Sequence, residues 1–150
     1  MKKIRFLSRR AAADLAPQPG AVLISIHDRS EPPLTPRAGW ADVLVQRFHD
    51  TDGSLMGLEV FSNEQALELL GFAQAHEACT ELVVHCQEGR SRSAAIALFF
   101  AEKYGLPCHQ EKKPVTRATW NVFNRMVYER LKLVDKAART TRAAAPRGES

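Results

Sequence analysis

Residues 81–104 read ELVVHCQEGRSRSAAIALFFAEKY, and this stretch decides the fold. Glu81 to His85 is a short apolar run rich in valine, the signature of a buried strand. Ser93 to Tyr104 is apolar almost all round, which marks a helix buried on most sides. Between them lie only Cys86 to Arg92, so a strand must turn into a helix within one tight curl. Gly89 allows the backbone angles such a curl needs. A strand feeding a buried helix is the unit of α/β layer folds. Those folds put ligands outside the carboxyl end of a strand, against a helix N-terminus.

Working outward, Lys3 to Leu7 is a candidate first strand, and Pro17 to Gly20 a turn. Ala21 to His27 (AVLISIH) reads as a second buried strand. Asp28 to Trp40 holds Pro32, Pro33, Pro36 and Gly39 and reads as a surface loop. Asp42 to Phe48 is the next strand, followed by a loop from His49 to Gly57. Ser62-Asn-Glu-Gln65 has capping-box form, opening a helix with Ala66, Leu69, Leu70 and Ala73 on one face and an end near Ala78. Gly105 and Pro107 end the buried helix. A last helix is expected from Thr116 to about Val134. The order predicts an α/β fold with a short, mostly parallel central sheet flanked by helices.

The 150 residues, 45% apolar and 25% charged, suit one globular domain. That domain is expected over 1–135, with 136–150, rich in Ala, Arg and Thr, as a flexible C-terminal tail. The longest apolar run, Ala94 to Ala101, is too short to cross a bilayer, so no membrane insertion is expected. Cys79, Cys86 and Cys108 form no CxxC or other metal-binding spacing, and no metal or other cofactor is implied. Unpaired thiols point to a reducing, cytoplasmic setting. The formal net charge of +4 suits an anionic substrate, but no Lys/Arg cluster interleaves with aromatics, so nucleic acid is not the expected partner.

The chemistry lies in Cys86-Gln87-Glu88-Gly89-Arg90-Ser91-Arg92-Ser93. A curled loop at a helix start turns successive N–H groups inward and makes an anion cradle, and the helix dipole adds positive potential. Cys86 stands at its floor, where such a cradle favours thiolate, the nucleophilic form. Arg92 can return over the loop and hold two phosphate oxygens with its planar fork. Ser93 can give a hydrogen bond to the sulfur as it leaves, and His85 can brace the loop through its ring N–H.

HCQEGRSRS resembles the His-Cys-x5-Arg-Ser signature of the protein tyrosine phosphatases, and its Gly-x-Ser-Arg-Ser ending resembles the dual-specificity branch and its small bacterial relatives. The resemblance implies a cysteine phosphatase fold and metal-free hydrolysis of a phosphomonoester through a phosphocysteine intermediate. It implies a phosphorylated protein or peptide as substrate, bound by Gln87 to Arg92. It also implies an aspartic acid from a separate upstream loop that protonates the leaving oxygen and then helps activate water. In Phe48-His49-Asp50-Thr51-Asp52, Asp50 is preferred, Asp52 is the alternative acid, and Asp42 is a third choice. A non-catalytic phospho-ligand module, a sulfur-transferring thiol enzyme, and a phosphoinositide or RNA 5′-phosphatase remain open readings.

Other residues carry weaker expectations. Glu88 offsets Arg90 at the mouth. Cys79 is either a buried thiol or an oxidation partner for Cys86. Asn121 is a helix-surface residue that can reach the site and orient water. Trp40 is either core or cleft rim. His27, His76 and His109 show no partner pattern.

Overall fold

The computed structural model describes residues 1–53 and 57–144. The chain runs β1 (Ile4–Ser8), α1 (Arg9–Asp14), β2 (Val22–His27), β3 (Asp42–Arg47), α2 (Asn63–Ala75), β4 (Leu82–Cys86), α3 (Arg92–Tyr104), β5 (Cys108–Gln110), β6 (Lys113–Val115) and α4 (Arg125–Ala144). The strands form one sheet in the order β3-β2-β4-β1-β5-β6, parallel except for the β5–β6 hairpin.

β2 and β4 are buried at every position because both faces of the sheet are covered. Alternation sorts their side chains. Val22, Ile24, Ile26, Leu82, Val84 and Cys86 join the large core under α2, α3 and α4. Leu23 and Val83 point the other way, onto Leu7 and Ala12, where Leu34, Trp40 and Val43 close the layer. Trp40 is thus part of the packing of the second face, not the rim of a cleft. The expected loop from Asp28 to Trp40 is present, and it serves as a lid on that face.

The register explains where a site can form. Ser8 pairs with Cys86, and Ser25 pairs with His85. The carboxyl ends of the three central strands therefore meet at one edge, directly before α3 begins.

Several boundaries differ from expectation. α1 follows β1 without a linker; Ser8 caps it by accepting from the Ala11 N–H at 3.2 Å. Its single turn is too short for a periodic signal. β5 and β6 are three-residue strands around Glu111, whose positive φ of 54° makes the turn. α2 has the expected capping box but stops at Ala75, because the backbone at His76 leaves the helical region, at φ −115° and ψ 27°. α4 starts at Arg125 rather than Thr116. Thr116 and Thr119 bond each other in a separate turn, and Asn124 caps the helix by accepting from the Val127 N–H at 3.0 Å. α4 then passes through Lys136, where the tail was expected to begin, and reaches Ala144. Buried Asp135, held by Lys103 and Arg139, fastens that continuation. Residues 54–56 of the loop ending at Gly57, and residues 145–150 of the expected tail, lie outside the described residues.

Val127 and Leu131 are fully buried against the core and anchor α4. Leu131→Ala is expected to cost ~2–5 kcal/mol of stability, read as a lower urea midpoint with unchanged slope.

Candidate active site

The loop leaves β4 at Cys86, whose residue is only 2% exposed, and enters α3 at Arg92. Its tightest point is Gly89, at φ +69°. A Cβ there would stand 2.2 Å from the Ser8 nitrogen and 2.3 Å from the Leu7 carbonyl carbon. Only glycine lets the loop pass over the end of β1. The Arg9 N–H donates to the Gln87 carbonyl at 3.2 Å and ties the loop to that strand end. On the opposite side, the Trp120 indole N–H donates to the Arg90 carbonyl at 3.0 Å.

Ser93 Oγ lies 3.1 Å from Cys86 Sγ. Arg92 is buried, and its Nη1 donates to Asp28 Oδ1 at 2.6 Å and to the Phe48 carbonyl at 2.8 Å. Both bonds leave from one nitrogen, so the Nε–Nη2 edge keeps the paired donors that fit two oxygens of an anion. Ser91 precedes α3 but gives the helix no side-chain cap. Its hydroxyl instead donates to Asp50 Oδ1 at 2.8 Å. The first N–H groups of α3 thus have no side-chain cap at the place where an anion would sit.

Asp50 Oδ1 also accepts from the Asn124 amide at 2.8 Å, and the same amide nitrogen donates to the Thr51 carbonyl at 3.0 Å. One carboxylate oxygen is fixed twice, and Oδ2 is left over. Asp50 shares a cleft of about 330 Å³ with Asp28, His49, Leu58, Cys86, Gln87, Glu88, Arg90, Ser91 and Arg92. Asp52 does not line that cleft; it faces the neighbouring hollow beside Asn121 and Arg125. Asp42 is remote, at the start of β3, paired with His76 at 2.9 Å. A larger hollow of about 520 Å³ lies between α2, α3 and α4, lined by Lys103, Tyr104 and Asp135 among others, and contains no cysteine.

His85 is fully buried. Burial pulls its pKa down to about 4, so it is uncharged at neutral pH. Its Nδ1 lies 3.5 Å from the Cys86 carbonyl, a long contact. Cys79 lies before the amino end of β4, whereas Cys86 is the last residue of that strand. The strand alone spans ~13 Å, beyond the ~7 Å limit for bridged Cα atoms. Burial pushes the Cys79 thiol up and the Cys108 thiol to about 12, so both are poor nucleophiles.

Four contributors were not foreseen from sequence. Asp28 and Phe48 hold Arg92, Trp120 holds the loop, and Asn124 takes the place expected of Asn121. An Asn directly before the amphipathic run RMVYERL is an N-cap signal that identifies Asn124.

The fold is that of the dual-specificity phosphatases. Human DUSP28 superposes with a TM-score of 0.57 at 20% identity, covering 91% of this chain and 94% of that one. A mouse putative dual specificity phosphatase, complexed with zinc tungstate, superposes with a TM-score of 0.54 at 21% identity, covering 93% and 86%. No protein-family model matches the sequence. No curated protein matches it either.

Two outcomes follow from this geometry. Gly89→Ala is expected to cost at least ~2 kcal/mol, because strain at positive φ adds to a backbone collision; thermal unfolding measures it. The depressed His85 pKa also sets a sign. The unfolded chain takes up that proton near pH 6.5, before the folded chain does near 4. Stability is therefore full above pH 6.5 and falls by up to ~3 kcal/mol as pH drops through 4. Urea midpoints between pH 7 and 4 should show the fall, and His85→Gln should make it shallower.

Proposed function

We propose that the chain is a cysteine-dependent phosphomonoester hydrolase acting on phosphorylated protein or peptide, on phosphotyrosine and phosphoserine or phosphothreonine. The observation that carries this reading is the pairing of Ser93 at 3.1 Å with Cys86, which shares one cleft with an arginine that, among the described residues, is anchored through Nη1. An arginine held that way keeps a fork for phosphate without having to be ordered on binding.

In the first step the Cys86 thiolate attacks phosphorus, and the bond to the substrate oxygen breaks. Asp50, carrying its proton on Oδ2, gives it to the leaving oxygen. The Nε–Nη2 edge of Arg92 and the uncapped N–H groups of α3 follow the charge on the equatorial oxygens. In the second step water attacks the phosphocysteine, and Asp50 takes a proton from it. The P–S bond breaks, Ser93 donates to the departing sulfur, and inorganic phosphate is released. Asp50 is favoured over Asp52 because it lines the cleft with Cys86 and is held by Ser91 of the same loop.

The likeness of the loop to that of the dual-specificity branch supports a substrate range that takes in phosphoserine and phosphothreonine as well as phosphotyrosine. Tungstate, present with the mouse neighbour, is a tetrahedral oxyanion of the kind this loop suits.

Purified protein should hydrolyse an aryl phosphate with vanadate-sensitive turnover, and Cys86→Ser should have none. Asp50→Asn is expected to lower kcat by about 10²–10⁴, while Asp52→Asn stays near wild type. The reverse order would move the acid to Asp52. Capture of phosphopeptide without turnover would make the chain a binding module.

A further inference from the structure

The Cys86 loop is also connected inward, through a chain of polar side chains that the reaction scheme above does not use. Ser25, His27 and His85 are buried, at 2%, 0% and 0% exposure. Arg9 Nη1 lies 2.9 Å from His27 Nδ1. His27 Nε2 lies 2.8 Å from Ser25 Oγ, which lies 2.5 Å from His85 Nε2. The two imidazoles meet edge to face, 5.4 Å apart.

The direction of this chain follows from counting protons. A guanidinium has only donors, so His27 Nδ1 must accept. A neutral imidazole then carries its proton on Nε2, which donates to Ser25 Oγ. The Leu34 N–H also lies 3.5 Å from that nitrogen, but the 2.8 Å contact to Ser25 is the shorter, and the Arg9 donor at Nδ1 fixes the ring proton on Nε2. Ser25 has one proton to give, and among the described residues its other partner is His85 Nε2. His85 is then bare at Nε2 and protonated at Nδ1, facing the carbonyl of Cys86. Each group donates to the next, from Arg9 at the surface to the backbone of the nucleophile.

We propose that His27 and Ser25 are positioning residues of the Cys86 loop: they pass a fixed hydrogen-bond polarity from Arg9 to His85 and so lock the tautomer that braces the nucleophile. The inference rests on the reading of Cys86 as the nucleophile. The charges around the chain suit it. His27 faces Arg9 and Glu31, with Arg47 from β3 and Arg92 from α3 nearby, while His85 faces His27, Arg9 and Arg92. Burial is the main cause holding both imidazoles below their usual pKa, and the three arginines act in the same direction against only Glu31 at His27. Two uncharged rings are what a one-way relay requires. Glu31 also holds Arg9 at 3.2 Å and accepts from the Asp28 N–H at 3.1 Å. The relay's outer end is therefore fastened to the same short segment that holds Arg92.

The test reads tautomers and thiol reactivity, and neither needs turnover. In long-range proton–nitrogen spectra of the uniformly ¹⁵N-labelled full chain at pH 7, His85 should be protonated at Nδ1 and His27 at Nε2. His85→Gln and His27→Gln assign the signals. Ser25→Ala should erase the His85 preference and slow iodoacetamide alkylation of Cys86 about five- to tenfold, the effect of one lost hydrogen bond. Ser25→Thr, which keeps the hydroxyl, should restore both. Wild-type His85 protonated at Nε2 overturns the proposal, and so does equal alkylation in the Ala and Thr variants. The expected tautomers in a protein without phosphatase turnover would uphold the relay and sink the catalytic reading alone.

Discussion

Gly89 lies against the end of β1 so closely that a methyl group has nowhere to go. The site's shape depends on that contact. It draws the loop over Ser8, the residue in register with Cys86, and so fixes how sharply the chain turns between the last strand residue and the first residue of α3. Because Ser8 both ends β1 and caps α1, the same point launches Arg9, whose backbone holds Gln87 and whose side chain reaches His27. A crossing of two backbones thus organises Cys86, the helix that follows it and the buried polar chain behind it.

Around that crossing the site is held from three sides. β2 contributes from below, its Ser25 touching His85 and the following Asp28 touching Arg92. The segment after β3 contributes Phe48 and Asp50. α4 contributes Asn124 from the far side. The hydroxyls and amides here spend their capacity on the protein itself. What is left for a ligand is narrow: one edge of a guanidinium, one oxygen of a carboxylate, and a helix start without a cap.

Most of the sheet and the loop were legible because their signals are local. β2 and β4 announce themselves as continuous apolar runs, and the Cys86–Ser93 stretch carries its chemistry in consecutive residues. The places of Asp50 and Asp52 were less legible, because the two differ in direction, which Ser91 and Asn124 impose on Asp50 from distant parts of the chain. Asp28 and Trp120 gave no signal. One follows a strand and the other precedes a helix, and only tertiary packing brings them to Arg92 and Arg90. The start of α4 is hidden in the sequence because Val122 and Phe123 continue the helical spacing backwards, while the cap at Asn124 overrides it. The hairpin β5–β6 is polar and too short for any period to appear.

The amide of Asn124 has a further consequence. Its oxygen is committed to α4 and its nitrogen to Asp50 and Thr51. An amide so engaged has one orientation, and it joins the start of a long helix to the carboxylate that shares a cleft with Cys86. Swinging Asp50 away from the cleft would break its hydrogen bonds from Ser91 and Asn124 at once. The carboxylate is accordingly held at the cleft before any ligand arrives. A ligand entering the cleft therefore meets Asp50 already fixed, and its binding has no ordering of that side chain to offset.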